Sequence, residues 1–326
     1  MSRLAILNPK SLIGNEIKEA LERRSELWTD IRLLALETGD YGLLSEVAGE
    51  ATVVHELSRD NLEGIDLLFA CPQATDDPDE ILNRLSGVPR TIIASPAAPP
   101  PGLPTVIAGV NLDEVLDAMD TGRRPIQLVS PHPGAIALAH LLQPLRHLGL
   151  KEAVASVVQP ASVHDQAGVD ELLEQTRSVL TFSNEFSRAV FGGQLALNLM
   201  PTDGSASVMT AARQALGPEL ALAIHVLQGA VFHSISASVF IRCDPKTSAE
   251  EINQALDSST HIEVDRDAEQ LGPIDASGKV SLLASPARAQ SGEPGGFWLW
   301  AVMDNLTLGA SGNALAIAEA LLATPQ

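Results

Sequence analysis

Few residues of this chain have the type and setting to do chemistry. There are only two cysteines. Cys71 closes the apolar run IDLLFAC and Cys243 closes SISASVFIRC. Neither belongs to a Cys-x-x-Cys pair, so a disulfide framework and a cysteine-based zinc site are disfavoured. Each reads as a small buried hydrophobe rather than a nucleophile. The histidines His132, His164 and His233 are the candidate proton-transfer groups, because imidazole titrates nearest neutral pH. His164 precedes Asp165, but adjacent side chains rarely meet in the geometry a base needs, and the pair reads as loop surface. The turn NPKSLIG, residues 8–14, links an apolar run to a helical pattern. A helix N-terminus there, capped by Ser11 and flanked by Lys10 and Gly14, is a candidate anion site. Glu37 follows about 20 residues later, where a ribose-binding acid is expected, and would select NAD over NADP. No metal site is predicted.

These groups must be held by regular elements. Short apolar runs at residues 3–7, 31–36, 51–54, 65–71, 91–94, 105–108 and 126–129 read as buried strands. Between the first two, Ile13, Ile17, Ala20 and Leu21 recur at helical spacing. Near-continuous apolar strands alternating with helices predict an α/β, Rossmann-like doubly wound parallel sheet. AAPPPGLP, residues 97–104, must be an irregular loop. Residues 134–148 place Ile136, Leu138, Leu141, Leu142 and Leu145 on one broad helical face. Beyond them the strands at 151–159, 220–228, 234–243 and 297–302 are longer and richer in β-branched and aromatic residues. Helices are expected at 168–180 and 311–323. This predicts a second, α+β domain with a mixed sheet. The expected division is 1–129, completed by the helix 311–326, and 130–310.

Composition sets the outer limits. Hydrophobic residues make up 45 % and charged residues 19 %, so the 326-residue chain has ample core for two domains. A net charge of −20 repels nucleic acid and anionic lipid. No apolar run reaches the ~18 residues that span a membrane, and the N-terminus lacks signal-peptide features. The expectation is a cytoplasmic protein with no nucleic-acid or membrane partner.

Four segments, in order, resemble the aspartate-semialdehyde dehydrogenase family. The most specific is DNLTLGASGNALAIAE, residues 304–319, against the family's D-N-L-x-x-G-A-A-x-N-A-x-x-I-A-E. Asp304, Asn305, Leu306, Gly309, Ala310, Asn313, Ala314, Ile317, Ala318 and Glu319 all match. FGGQLALNLMP, residues 191–201, is similar to Q-I-A-F-N-x-x-P. Residues 130–145 occupy the place of N-P-N-C-S-T and its helix, and 156–165 stand where a strand runs into Q-A-V-S-G-A-G. The resemblance spans essentially the whole chain. It implies an N-terminal NADP-binding domain and a C-terminal domain carrying the catalytic residues and a homodimer surface within 130–310.

The resemblance also implies a site, and this chain departs from it. The family's cysteine thiolate attacks the aldehyde, hydride passes to NADP, and phosphate cleaves the thioester. Here Ser130-Pro131-His132-Pro133 replaces Asn-Pro-Asn-Cys, so the nucleophile position is Pro133. The R-V-P-V-x-x-G-H element corresponds to QGAVFHSI, putting Ile235 at the histidine and Gln228 at the arginine. His233 lies two residues early, and strand alternation would keep it on the same face. Gln159 matches the family's substrate-orienting glutamine and Ser162 the serine after it, whereas Val163-His164-Asp165 replaces Gly-Ala-Gly. A segment carrying a substrate arginine is ASPAAPPP here, without one. Of the fingerprint G-A-T-G-A-V-G only Gly14 remains. NADP binding is therefore not expected, and weak NAD binding through Lys10, Ser11, Gly14 and Glu37 stays open. The expectation is a relative lacking the dehydrogenase activity, acting as a dimeric scaffold that binds a protein partner. An enzyme with altered chemistry through His132, Gln159, His164 or His233 is the alternative, and an active semialdehyde dehydrogenase the third.

Overall fold

The computed structural model describes residues 2–36, 39–73, 76–96, 100, 102–119, 125–267 and 270–323. The chain divides into two compact units, Met1–Pro131 with Ala310–Gln326, and His132–Gly309.

In the first unit the strands are β1 (Ser2–Leu7), β2 (Trp28–Ala35), β3 (Leu44–Val47), β4 (Glu50–Glu56), β5 (Leu67–Ala70), β6 (Arg90–Ala94) and β7 (Ile126–Ser130). The helices are α1 (Leu12–Glu22), α2 (Arg59–Leu62), α3 (Pro78–Arg84) and α4 (Leu112–Ala118). Among the described residues the sheet runs β3-β4-β2-β1-β5-β6-β7, parallel except for the edge hairpin β3–β4. Because side chains alternate, β1 sends Leu4 and Ile6 into one core and Ala5 and Leu7 into another, and both are buried. The C-terminal helix (Asn313–Ala323) belongs to this unit and buries Ala314, Leu315, Ile317, Ala318 and Leu321 in the first core.

Residues 105–108, expected as a strand, form only an isolated bridge, Thr105 to Val129. Side chains take the place of a ladder there. Asn111 accepts from the Ile107 amide and donates to the Thr105 carbonyl. Asn313 accepts from the Ala108 amide at 2.8 Å and donates to the Val106 carbonyl at 3.0 Å.

The second unit contains the helices α5 (Pro133–Leu142), α6 (Asp165–Leu180), α7 (Ser205–Leu216), α8 (Ala249–Asp257) and α9 (Pro273–Ala276). Its strands are β8 (Glu152–Gln159), β9 (Leu199–Pro201), β10 (Ala221–Gly229), β11 (Ile235–Arg242), β12 (Ile262–Val264), β13 (Leu282–Ala284), β14 (Arg288–Ala289) and β15 (Gly296–Met303). The mixed sheet runs β12-β13-β15-β11-β8-β10-β9, with β14 paired to β15. The helix α5 packs on β11 and β15, and α7 packs on β10 and α5.

The opposite sheet face is different. Register aligns Ala223, Val154, Phe240 and Trp298 in one row, and His225, Ser156, Ser238 and Trp300 in the next. Ala223, Ser156 and His225 are exposed, as are Val154 and Trp298, both at 44 %. The sequence reading found neither α7 nor α8. The Ser248–Glu251 capping box of α8 was a legible start signal.

Candidate functional site

The site is built where α5 begins. Pro133 is its first helical residue, a position proline favours because its missing N–H has no helical partner and its φ is preset. His132 precedes it as N-cap, and its Nδ1 accepts from the Gly134 amide at 2.9 Å. All residues of α5 are buried, and a Cβ at Gly309 would stand 2.9 Å from the Pro133 Cβ. Position 133 therefore holds a wedge packed against a glycine.

From His132 a chain of hydrogen bonds crosses the ends of β8 and β10, where Gln159 and Gln228 are register partners. His132 Nε2 meets Gln159 Oε1 at 3.2 Å. Gln159 Nε2 donates to Gln228 Oε1 at 2.8 Å. Gln228 Nε2 donates to the carbonyls of Gln159 and Gly229, which fixes its amide orientation. His164 Nε2 then lies 3.0 Å from Gln228 Oε1, an acceptor. Since an amide oxygen only accepts, His132 carries its proton on Nε2, and for His164 the shorter contact, to Gln228, favours the same tautomer over the 3.4 Å contact with Gln159 Nε2. Burial pushes the His132 imidazole down to about 4, with Gln159 opposing and His164 reinforcing, so it is neutral with both nitrogens engaged. Burial also lowers His164, against the Gln228 hydrogen bond and the charge of Glu171.

The sequence placed His164 on a loop surface. In the structure it is half-buried in the turn Ala161–His164, with its ring edge-on to Phe191 at 5.5 Å. The reason is that Gln228 offers it an acceptor across the sheet end. The argument for His233 also fails. His233 lies in the bend before β11, and Ser234 at φ 73° interrupts the alternation that would carry its side chain to the face of Ile235. Ile235 is 1 % exposed and is paired with Met303. Ser162, Asn305 and Ser234 form a neighbouring cluster. Asn305 Oδ1 accepts from the Ser234 amide at 2.8 Å, and Asn305 Nδ2 donates to Ser162 Oγ at 3.0 Å. Gln228 was visible in the sequence only as an arginine replacement. Its signal was that two otherwise apolar strands each end near a glutamine.

The matched C-terminal motif is structural. Asp304 accepts from the amides of Leu306, Thr307 and Gly278. Asn313 is 2 % exposed and bonded as above.

In the first unit, the strand order reverses between β1 and β5, where ligands of doubly wound sheets bind. Side chains of this chain fill that point. Ser11 Oγ accepts from the Gly14 amide at 3.0 Å and donates to the Asn8 carbonyl. Asn8, at φ 59°, donates to the Cys71 carbonyl and to Asp76 Oδ2 at 3.0 Å, and Asp76 also accepts from the Gln73 amide. A Cβ at Gly14 would collide with the Asn8 carbonyl, which explains this one retained glycine. Lys10 pairs with Asp40 at 3.0 Å in an exposed salt bridge. Glu37 lies outside the described residues. Both cysteines are buried and neither is in a disulfide, and burial pushes the Cys243 thiol up to about 11. Among the described residues no cluster of His, Cys, Asp and Glu could hold a metal.

No family profile matches the chain. An aspartate-semialdehyde dehydrogenase of Prochlorococcus marinus is 27 % identical over 338 residues, covering 98 % of this chain and 95 % of its own. A USG-1 protein homolog of Azotobacter vinelandii is likewise 27 % identical, covering 98 % and 97 %. Over its whole length the chain is similar to aspartate-semialdehyde dehydrogenases. The fold agrees: the structure of a Vibrio cholerae aspartate semialdehyde dehydrogenase II complexed with ASA superposes with a TM-score of 0.87 at 21 % identity, over 99 % of this chain and 98 % of that one. The side chains around His132 thus form a site whose hydrogen-bonding groups bond mainly to one another.

Proposed function

We propose that this chain is a member of the aspartate-semialdehyde dehydrogenase family that does not run the phosphorylating dehydrogenase reaction and acts as a dimeric scaffold. The observation that carries this reading is Pro133, buried as the first residue of α5, with Ile235 equally buried at the position of the family's base. A thioester cannot form on proline, and an aliphatic side chain moves no proton. The turn at Asn8–Gly14 does not fit a dinucleotide pyrophosphate. Ser11 takes the Gly14 amide, and the Asp76 carboxylate stands by Asn8, where a second anion would be repelled. NADP is therefore not its cofactor in this reading. The cytoplasm is the proposed location, on two cysteines outside any disulfide.

Purified protein with aspartate semialdehyde, phosphate and NADP should show turnover at background, and calorimetry should show no heat of NADP binding. Pro133→Cys alone should leave turnover at background, because the thiolate would still lack a base at Ile235 and an arginine at Gln228. Turnover by the unmodified protein, lost in Cys71→Ala, would overturn the reading.

The scaffold half rests on the open sheet face. The row Ala223, Val154, Phe240 and Trp298 is apolar and lies on one rigid sheet, as a self-complementary dimer surface of about 800 Å² per partner requires. Val154→Glu puts a carboxylate in that row. Sedimentation should report a dimer for the unmodified protein and at least tenfold weaker association for the variant, a charge in a desolvated interface costing on the order of 2 kcal/mol or more. A monomer at all concentrations would remove the scaffold reading.

A further inference from the structure

We propose that the β14–β15 flank of the open sheet face is a binding pocket for a small aromatic monocarboxylate, its ring stacked on Trp298 and Trp300 and its carboxylate held by Arg288. This goes beyond the reading above. The pocket shares no residue with the His132 network, and its occupancy does not depend on loss of the dehydrogenase reaction.

The argument starts from alternation along β15. Phe297 and Leu299 are buried, while Trp298 and Trp300 leave the sheet on its open face. There they line a cavity of about 530 Å³ together with Ser238, Leu271, Ser285 and Arg288. Small-molecule sites span roughly 300–1,000 Å³. Each indole is pinned by its own N–H. Trp298 Nε1 donates to Gln290 Oε1 at 2.9 Å, and Trp300 Nε1 donates to the Leu271 carbonyl at 2.8 Å. The ring positions are therefore set before a ligand arrives, and the rings have no N–H left to offer it. What they can give is stacking on their faces.

Arg288 supplies the charge. It is exposed, and it is the register partner of Trp298 across β14 and β15. No described residue pairs with it, whereas Arg242 on β11 holds both Glu152 and Glu293. The lining contains no carboxylate. A guanidinium in that setting is a bidentate donor for a planar anion. The charge count selects a monoanion. One arginine balances one negative charge, and a dianion such as a phosphate monoester would leave the other facing a chain of net charge −20. An exposed ion pair alone binds weakly, so the ring must contribute most of the affinity.

The test follows the indole N–H signals by nitrogen–proton NMR. The chain has three tryptophans, and Trp28→Phe leaves only the two pocket signals. Benzoate should shift both of them saturably. Benzyl alcohol has the ring without the charge, and acetate the charge without the ring. Each should bind at least about tenfold more weakly than benzoate, the worth of a charge-assisted hydrogen bond or of a stacked ring. Arg288→Gln should bring benzoate down to the affinity of benzyl alcohol and leave benzyl alcohol unchanged. Trp298→Leu should weaken both ring-bearing probes. The proposal is overturned if benzoate leaves both signals in place, if benzyl alcohol binds as tightly as benzoate, or if Arg288→Gln keeps the preference for benzoate. A second copy of the chain is the competing occupant, since Trp298 also ends the apolar row on this face. Benzoate shifts seen only in Val154→Glu, and not in the unmodified protein, would assign the pocket to that copy and overturn the proposal as well.

Discussion

Asn313→Ala should lower the unfolding free energy by about 3 kcal/mol or more, a large fraction of the ~5–15 kcal/mol that holds a typical domain. The Asn313 side chain makes three buried hydrogen bonds. Its oxygen accepts from the Ala108 amide, and its nitrogen donates to the Val106 carbonyl and to Ser130 Oγ at 2.8 Å. Residues 105–108 form only the Thr105 bridge, so these bonds replace a strand partner. Alanine would leave a buried amide and a buried carbonyl without partners, and each such loss costs on the order of 1–3 kcal/mol. The C-terminal helix should loosen with it, because Asn313 is its first residue and Ala314, Ile317, Ala318 and Leu321 pack behind it. Urea unfolding monitored by circular dichroism measures this. A change within ±0.5 kcal/mol, the range of an inert surface substitution, would mean the three bonds are not what ties this helix to the sheet. Asp304 and Asn305 make equivalent bonds within the second unit, which is why the most specific sequence match is compatible with a protein that has lost the parent reaction.

The second large effect is acid lability through buried imidazoles. Burial pushes His132 down to about 4, and it pushes His140, whose ring lies tilted against His261 at 4.5 Å, down to about 3. Both start from 6.5 when unfolded. A histidine with a lowered folded-state pKa binds fewer protons folded than unfolded throughout the interval between the two values. The stability it supports is therefore complete above about 6.5, and it falls as the pH drops toward about 4 for His132 and about 3 for His140. Each pKa unit is worth about 1.4 kcal/mol, so the two together can withdraw several kcal/mol in mild acid. The net charge of −20 acts the other way, since self-repulsion eases as carboxylates protonate. The comparison that isolates the imidazole is His140→Leu. Between pH 6.5 and 4.5 its urea midpoint should fall less steeply than that of the unmodified protein, by the slope of about one proton. Parallel pH profiles would show that His140 does not remain neutral in the fold.

Much of the architecture was legible because local periodicity reports burial directly. The strands of the first unit read as continuous apolar runs since both faces of that sheet are covered, and β8 and β11 alternate since one face of theirs is not. What failed was local in another way. Residues 105–108 have strand-like composition, but their backbone groups are met by Asn111 and Asn313, the second of which is distant in sequence. The short strands β9, β12 and β14 carry too few residues for any period to show.

The candidate site divides along the same line. Sequence by itself determined that position 133 has no nucleophile and that Gly14 alone remains of the phosphate-binding glycines, and it offered His132, Gln159, His164 and His233 only as alternatives, with His164 read as loop surface. Residue type settles those points because proline lacks the chemistry in any setting. Only the tertiary structure decided what replaced it. The pairing of β8 with β10 sets Gln159 against Gln228, Gln228 brings His164 within 3.0 Å of its amide oxygen, and a positive φ at Ser234 removes His233 from the strand. The position of His164 depends on a partner across the sheet, and that partner stands far away along the chain. The proline at 133 thus marks more than a missing thiol. It begins the helix whose N-cap, His132, joins the network through Gln159.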